Sequence, residues 1–225
     1  EIYTLSLHDA LPILESTKNL LKNLGQHQCQ PCDIRNSGEI RQALANVSSL
    51  YGLIANAGLG GENQYGEQDR WQEIIDTNLT GTYQTIQECL PLIKKNPAPF
   101  KKIIIISSIL ARLGVPGYSG YCASKAGLLG LTRSLAGEYS NDGILVNALC
   151  PGWVDTKMAE EGLQGFADTL KISKEDAYKE AMKQVPLGKM SKPEEVAQLV
   201  AYLVSEEQTS LTGQTLHINN GALMP

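Results

Sequence analysis

The sequence predicts an α/β fold, a doubly wound parallel sheet with helices on both faces. Three observations predict it. Short apolar runs suited to strands alternate with segments of helical periodicity from Leu14 onward. One of those runs, KKIIIIS at 101–107, is apolar on both faces, the pattern of a parallel strand covered from above and below. The strands are separated by helices, which is what parallel neighbours in one sheet require. The 225 residues suffice for one domain with a substantial core, and no repeat or low-complexity segment divides them.

Taken in order, LESTKNLLKNLG at 14–25 reads as the end of a helix, with Leu14, Leu20, Leu21 and Leu24 apolar and Gly25 as its stop. HQCQPCDI at 27–34 reads as a short strand. SGEIRQALANV at 37–47 reads as a helix capped by Ser37, with helical spacing at Ile40, Ala43, Leu44 and Val47. LYGLIANAG at 50–58 is a strand entering a turn, and a long helix runs from 68 to about 94. After the isoleucine strand come a helix at 119–140, a strand at 144–150 and an irregular, partly helical stretch at 155–190. Pro193 opens a helix at 193–205, and QTLHI at 214–218 is the last strand. In such sheets ligands sit beyond the carboxyl ends of the strands. Chemistry is therefore expected just after residues 33, 57, 107 and 150.

Composition narrows the function classes. A net charge of −5 with no large basic patch argues against nucleic acid or an anionic membrane as partner. No run of apolar residues approaches the roughly 18 needed to span a bilayer. Five scattered cysteines suggest thiols in a reducing, cytoplasmic compartment. Cys29 and Cys32 form a CxxC, but residues three apart on a strand point to opposite faces, so no metal or dithiol site is expected there. The densest basic spot, KKNPAPFKK at 94–102, reads first as a solvated helix end and loop. Its functional reading is that Lys94, Lys95, Lys101 and Lys102 attract an acidic acyl carrier protein.

The richest stretch is SSILARLGVPGYSGYCASK at 107–125. Tyr121 and Lys125 lie four apart on a predicted helix and share a face. Ser108 closes the isoleucine strand at the ligand edge of the sheet. A hydroxyl, a phenol and an ammonium thus converge on one crevice. A tyrosine alone is a poor proton donor near neutrality, because its ordinary pKa is about 10. A neighbouring cation favours the phenolate and lowers that value, which Lys125 would do. A Tyr-x-x-x-Lys pair by itself is common on amphipathic helices, so its weight comes from what accompanies it.

What accompanies it resembles the short-chain dehydrogenase/reductase family at six places, in order and spacing. Ser108 stands thirteen residues before Tyr121, as that family's catalytic serine does, which leaves Ser107 structural. Asn56-Ala57-Gly58 follows a strand, and Asn78-Leu-Thr-Gly81 carries an active-site asparagine in the next helix. Pro151-Gly152 follows a later strand, with the hydroxyl of Thr156 five past the proline. Asp33-Ile34 ends an early strand, and TGQTLHINNGALM resembles the closing segment, with Asn220 where a glycine is more usual.

The resemblance implies a Rossmann-like fold and a nicotinamide cofactor, NADP or NAD. A reduced nicotinamide would pass hydride to a ketone, with Tyr121 giving the proton and Ser108 steadying the oxygen. Lys125 would lower the tyrosine pKa and grip the ribose, and Asn78 would hold a water that relays protons to it. The resemblance places Asp33 and Ile34 at the adenine, Asn56, Ala57 and Gly58 along the adenosine side, and Pro151, Gly152, Val154 and Thr156 near the nicotinamide. CPGWVDTKM with the insert after it looks like reductases of 3-oxoacyl chains and polyketides. Dehydrogenases of 3-hydroxybutyrate have a similar insert. Residues 157–190 would form a substrate lid, with Met158, Leu163, Phe166, Leu170 and Met182 suited to an acyl chain or to core packing. Relatives imply a homo-oligomer, usually a tetramer. Two rival readings stand beside this one. Extended epimerases and dehydratases share the Tyr-x-x-x-Lys pair, but only 104 residues follow Tyr121 here, too few for their substrate domain. A non-catalytic binding module on the same fold is the other.

One part of the pattern is missing. The family's Thr-Gly-x-x-x-Gly-x-Gly loop does not occur, and the cluster GLGG at 58–61 belongs to the Asn-Ala-Gly turn. EIYTLSLHDALPI at 1–13 matches, codon for codon, the translation of a widely used short-read sequencing adapter. Residues 1–13 are therefore expected to be an assembly artefact, and 14–225 a Rossmann-type domain that lacks the first βαβ unit, strands one and two. The strand-like alternation of EIYTLSL would let it pair in the gap, while the neighbouring sheet edge would stay open. The residues that decide between NAD and NADP sit in the missing part.

Overall fold

The structure is a computed structural model and describes residues 2–6, 27–63 and 65–225. The predicted helix end at 14–25 lies outside the described residues. Six strands are present among them: β1 (Ile2–Ser6), β2 (His27–Pro31), β3 (Gly52–Ala55), β4 (Lys101–Ile106), β5 (Ile144–Pro151) and β6 (Thr215–Ile218). The helices are α1 (Ser37–Ala43), α2 (Trp71–Ile75), α3 (Thr82–Lys94), α4 (Ser119–Tyr139), α5 (Lys157–Leu170), α6 (Lys174–Met182) and α7 (Pro193–Val204). All strand pairs are parallel. The order β3-β4-β5-β6 forms one sheet, and β1 pairs with β2 as a separate ribbon.

The isoleucines of β4 explain why the sheet is covered twice. Ile103 and Ile105 enter a core built with α1, α3 and α4. Ile104 points the other way, to Leu149 of β5 and Leu203 of α7. Alternation along a strand sends neighbours to opposite faces, so a run apolar throughout needs helices on both sides.

Three local expectations are corrected. The cap of α1 is Asn36, not Ser37: its side chain accepts the N–H groups of Gly38 and Glu39. An amide oxygen one residue earlier reaches the helix's unpaired donors, so Ser37 is the first helical residue. The predicted long helix is continuous in path but not in winding. Between α2 and α3, residues Asp76–Gly81 form a wider π turn, which holds Asn78. The basic cluster is dismantled: Lys101 and Lys102 start the central strand β4 and are buried. Lys101 Nζ donates to the Asp142 carbonyl at 2.6 Å, Lys102 Nζ donates to the Gln208 carbonyl, and Lys94 pairs with Asp142 at 2.8 Å. Ladder pairing with Ile144 and Leu145 holds the two strand lysines in the sheet, so they offer no surface to an acidic carrier.

Two edges remain. β1 pairs with β2, in register from Ile2 opposite His27 to Ser6 opposite Pro31. Among the described residues β3 pairs only with β4, and Ile54 on that open edge is 47% exposed.

Candidate active site

The carboxyl ends of β4 and β5 and the first turns of α4 bring four of the expected residues together. β4 ends at Ile106, and Ser107 and Ser108 follow it. Ser107 Oγ donates to the Lys125 carbonyl at 2.8 Å, which ties α4 to the end of β4. Ser108 adopts an extended backbone and accepts the Leu110 N–H at 3.2 Å, opening a short 3-10 turn at Ile109–Ala111. Its hydroxyl is near enough to the Tyr121 phenol to favour the ionised form. One turn along α4, Lys125 Nζ lies 5.6 Å from the centre of the Tyr121 ring and donates to the Ile106 carbonyl at 3.0 Å.

Burial governs the electrostatics of this cluster. It pushes the Tyr121 phenol above its ordinary value, with the Ser108 hydroxyl partly offsetting the rise, so the lowering expected from Lys125 is corrected: desolvation outweighs it. It pulls the Lys125 ammonium down to about 8. Both groups are thus held toward their neutral forms, and the lysine titrates close to physiological pH.

Asn78 reaches the same place from the π turn, and its side chain is hydrogen-bonded there. Oδ1 accepts the Leu59 N–H at 2.7 Å, while Nδ2 donates to the Leu59 carbonyl at 2.9 Å and to Ser124 Oγ at 3.2 Å. Its backbone carbonyl accepts the Thr82 hydroxyl at 2.8 Å. Both amide hydrogens are used, and one lone pair of Oδ1 is left to accept. Asn78 fixes the turn after β3 against α4. Gly58 sits in that turn, and a Cβ there would meet Asn78 Oδ1 at 3.1 Å and Lys125 Nζ at 3.4 Å. Close packing on these two groups explains the glycine.

The remaining expected residues are spread along the same edge. Pro151 ends β5, and the Gly152 N–H donates to the Ile218 carbonyl at 3.0 Å. Val154 bridges to Ser191, and Thr156 caps α5 by accepting the Ala159 N–H. Asn56 is exposed, with Ala57 half-buried beside it. Asp33 is gripped by Arg35, whose guanidinium reaches its carboxylate at 2.6 Å. Ile34 does not fit an adenine contact through its side chain: it is 2% exposed, packs in the main core and lies under Gly81.

Other residues of the site were not expected. Ser124 links Asn78 to the Tyr121 carbonyl, which it reaches at 2.8 Å. Cys150 is buried on β5, close enough to Tyr121 and Lys125 for its charge state to bear on both. Asn63, 7% exposed, donates to Asp69 and accepts the Gly120 N–H. Only Ser124 had a signal in the sequence, its place directly before Lys125.

A nicotinamide dinucleotide can be tested against these groups. Lys125 spends one donor on Ile106 and keeps two, which suits a ribose diol. The donor chemistry fits on the nicotinamide side. On the adenosine side, the Asp33 carboxylate would have to share itself with Arg35.

A phenol and an ammonium one helical turn apart lie beside a strand-end serine at the edge of a parallel sheet. The chain belongs to the short-chain dehydrogenase/reductase family: the family model described as enoyl-(acyl carrier protein) reductase matches residues 2–222. It is similar to the 3-oxoacyl-(acyl-carrier-protein) reductase of Rickettsia prowazekii, 36% identical over 215 residues, covering 94% of this chain and 82% of that protein. The corresponding reductase of Staphylococcus aureus is 34% identical over 187 residues, covering 82% of this chain and 71% of that protein. A crystal structure of an actinorhodin polyketide ketoreductase variant with NADPH superposes with a TM-score of 0.90 at 31% identity, covering 98% of this chain and 86% of that one. Among the described residues no helix is long and apolar enough to cross a membrane, and no cluster of side chains could hold a metal ion.

Proposed function

We propose that the protein is an NAD(P)-dependent reductase that converts a ketone, on a 3-oxoacyl thioester or a compound of similar shape, to an alcohol. The convergence of Ser108, Tyr121 and Lys125 at the carboxyl end of β4 carries this reading. A reduced nicotinamide, when bound, supplies the hydride. Tyr121 is the proton donor to the carbonyl oxygen, and burial keeps it protonated and ready to give. Ser108 hydrogen-bonds the same oxygen and steadies its growing charge. Lys125 holds the nicotinamide ribose and, when protonated, stabilises the phenolate that Tyr121 becomes. Val154 and Thr156 bind the carboxamide, and Asp33 and Asn56 the adenosine end.

The apolar surface near the site supports an acyl substrate. Met158, half-exposed at the start of α5, lies against Gly60 in the turn after β3. Leu163 and Met182 are buried, which favours the packing role over contact with the substrate. With Lys101 and Lys102 inside the sheet, the substrate is proposed as the thioester itself, without carrier docking at that spot. We further propose that 1–13 is not native sequence and that 14–225 is an incomplete domain.

The test is consumption of NADPH or NADH, at millimolar concentration, with a short 3-oxoacyl thioester. Reduction of the thioester at the expense of either cofactor supports the proposal. Preference for oxidising 3-hydroxybutyrate would make it a dehydrogenase of that acid, and no turnover with either would leave a binding module on this fold.

A further inference from the structure

The catalytic helix α4 begins with a difficulty. The first N–H groups of any helix lack partners within it. At α4 the capping residue is Tyr118, whose side chain makes no cap hydrogen bond. The next turn carries Tyr121, so looseness here would move the phenol.

Asn63 supplies what Tyr118 cannot. It comes from the loop after β3, 57 positions away from Gly120 in the chain. Its Oδ1 accepts the Gly120 N–H at 2.9 Å, inside the first turn of α4. Its own N–H donates to the Gly117 carbonyl at 2.7 Å, closing the turn that leads into the helix. Its Nδ2 donates to Asp69 Oδ1 at 3.0 Å, and the same carboxylate oxygen accepts the Trp71 N–H at 3.0 Å, at the start of α2. One buried amide therefore ties the β3 loop, the entry to α4 and the entry to α2. The local glycines fit this arrangement. A Cβ on Gly120 would meet Asn63 Oδ1 at 3.1 Å, and Gly117 has a φ of +79°, a region that side chains rarely adopt. An asparagine suits the position because it must accept from Gly120 and donate to Asp69 at once. Aspartate lacks the donor and would face a like charge.

We infer that Asn63 is a positioning residue, a cap delivered from a distant loop that fixes the first turn of α4 and with it Tyr121 over Ser108. The inference rests on the reductase reading in taking Tyr121 as the proton donor. Asn63 does not touch the reacting atoms. It acts through the helix, and a misplacement of about 1 Å in a catalytic group can cost on the order of 100-fold in rate.

The experiment uses the full chain with Asn63→Ala and Gly120→Ala. Each is read by hydrogen exchange at the Gly120 amide and by kcat and KM. In Asn63→Ala the Gly120 amide is expected to lose protection, and kcat to fall about 10- to 100-fold with KM within about twofold. Should Asn63→Ala not fold, Gly120→Ala carries the test, with a loss of about tenfold in kcat expected from crowding the same contact. Unchanged Gly120 protection in Asn63→Ala, or unchanged kcat in both single variants, overturns the inference. If the wild-type chain reduces no ketone, the reductase reading fails by itself, and Gly120 exchange still decides whether Asn63 is the cap.

Discussion

Two lysines are buried at opposite ends of the same strand. At the amino end of β4, Lys102 is fully buried and donates to the Gln208 carbonyl. At the carboxyl end, Lys125 is 5% exposed and donates to the Ile106 carbonyl. Burial lowers the pKa of both, Lys125 to about 8. Both ammonium groups pay a desolvation cost, and each donates to a main-chain carbonyl. What separates them is their company. Lys125 has the centre of a phenol ring 5.6 Å away, whereas Lys102 meets the Gln208 carbonyl. A buried cation becomes more than a structural strut when it lies beside a group that can exchange a proton.

The comparison can be broken most directly by exchanging each lysine for an apolar residue of similar length. Lys125→Met is expected to lower ketone reduction by at least about 100-fold, and Lys102→Met to leave kcat within about twofold, both measured at saturating cofactor. Equal losses would mean that Lys125 is a strut as well. Stability should move in the opposite sense at the active end. The folded pKa of Lys125 lies below that of the unfolded chain, so the folded state binds its proton less readily. The resulting penalty is present in full below pH about 8 and fades as pH rises toward the unfolded value. Lys125→Met is therefore expected to raise the melting temperature at pH 7, by several degrees for a relief on the order of 2 kcal/mol. A lower melting temperature would contradict the assignment.

The same titration sets a pH profile. Lys125 is protonated below about 8 and neutral above it, so the reductive rate is expected to decline as pH rises through that value. Tyr121, held above its ordinary value, stays protonated in that range and does not cause the decline. A profile flat from pH 7 to 9 would remove Lys125 from the proton chemistry. A smaller effect is expected from Gly58→Ala, whose Cβ would crowd Asn78 and Lys125 together: about a tenfold fall in kcat with little change in melting temperature. The smallest concerns the open edge of β3. Ile54→Lys is expected to raise solubility, measured by light scattering, while leaving kcat unaltered, because a charge on an exposed strand edge discourages further pairing.

The two lysines also mark how much was legible in the sequence. The place of Lys125 beside Tyr121 was readable because it depends on spacing, four residues on one helix face, and spacing survives in a linear string. The parallel sheet was readable for a similar reason: the isoleucine run of β4 is apolar at every position, and only helices on both faces can use it. Lys102 was misread as solvated because two lysines before an apolar run look like a surface. Their burial follows from β5 lying beside them and the 205–213 segment closing over the end, neither of which is local. Asn36 and Ser37 could not be ranked as caps, since both types cap well and one residue decides between them. Asn63 gave no signal, because its partners Asp69 and Gly120 become neighbours only when α2 and α4 are in place.

The central claim is that the phenol of Tyr121 gives the proton in carbonyl reduction. Its most direct test is Tyr121→Phe in the full chain, with reduced-cofactor consumption measured beside a binding isotherm for the same cofactor. The account predicts a loss in kcat of at least about 100-fold with cofactor affinity unchanged, because the ring keeps its place and only the hydroxyl is removed. A variant that reduces the ketone at the wild-type rate would contradict it.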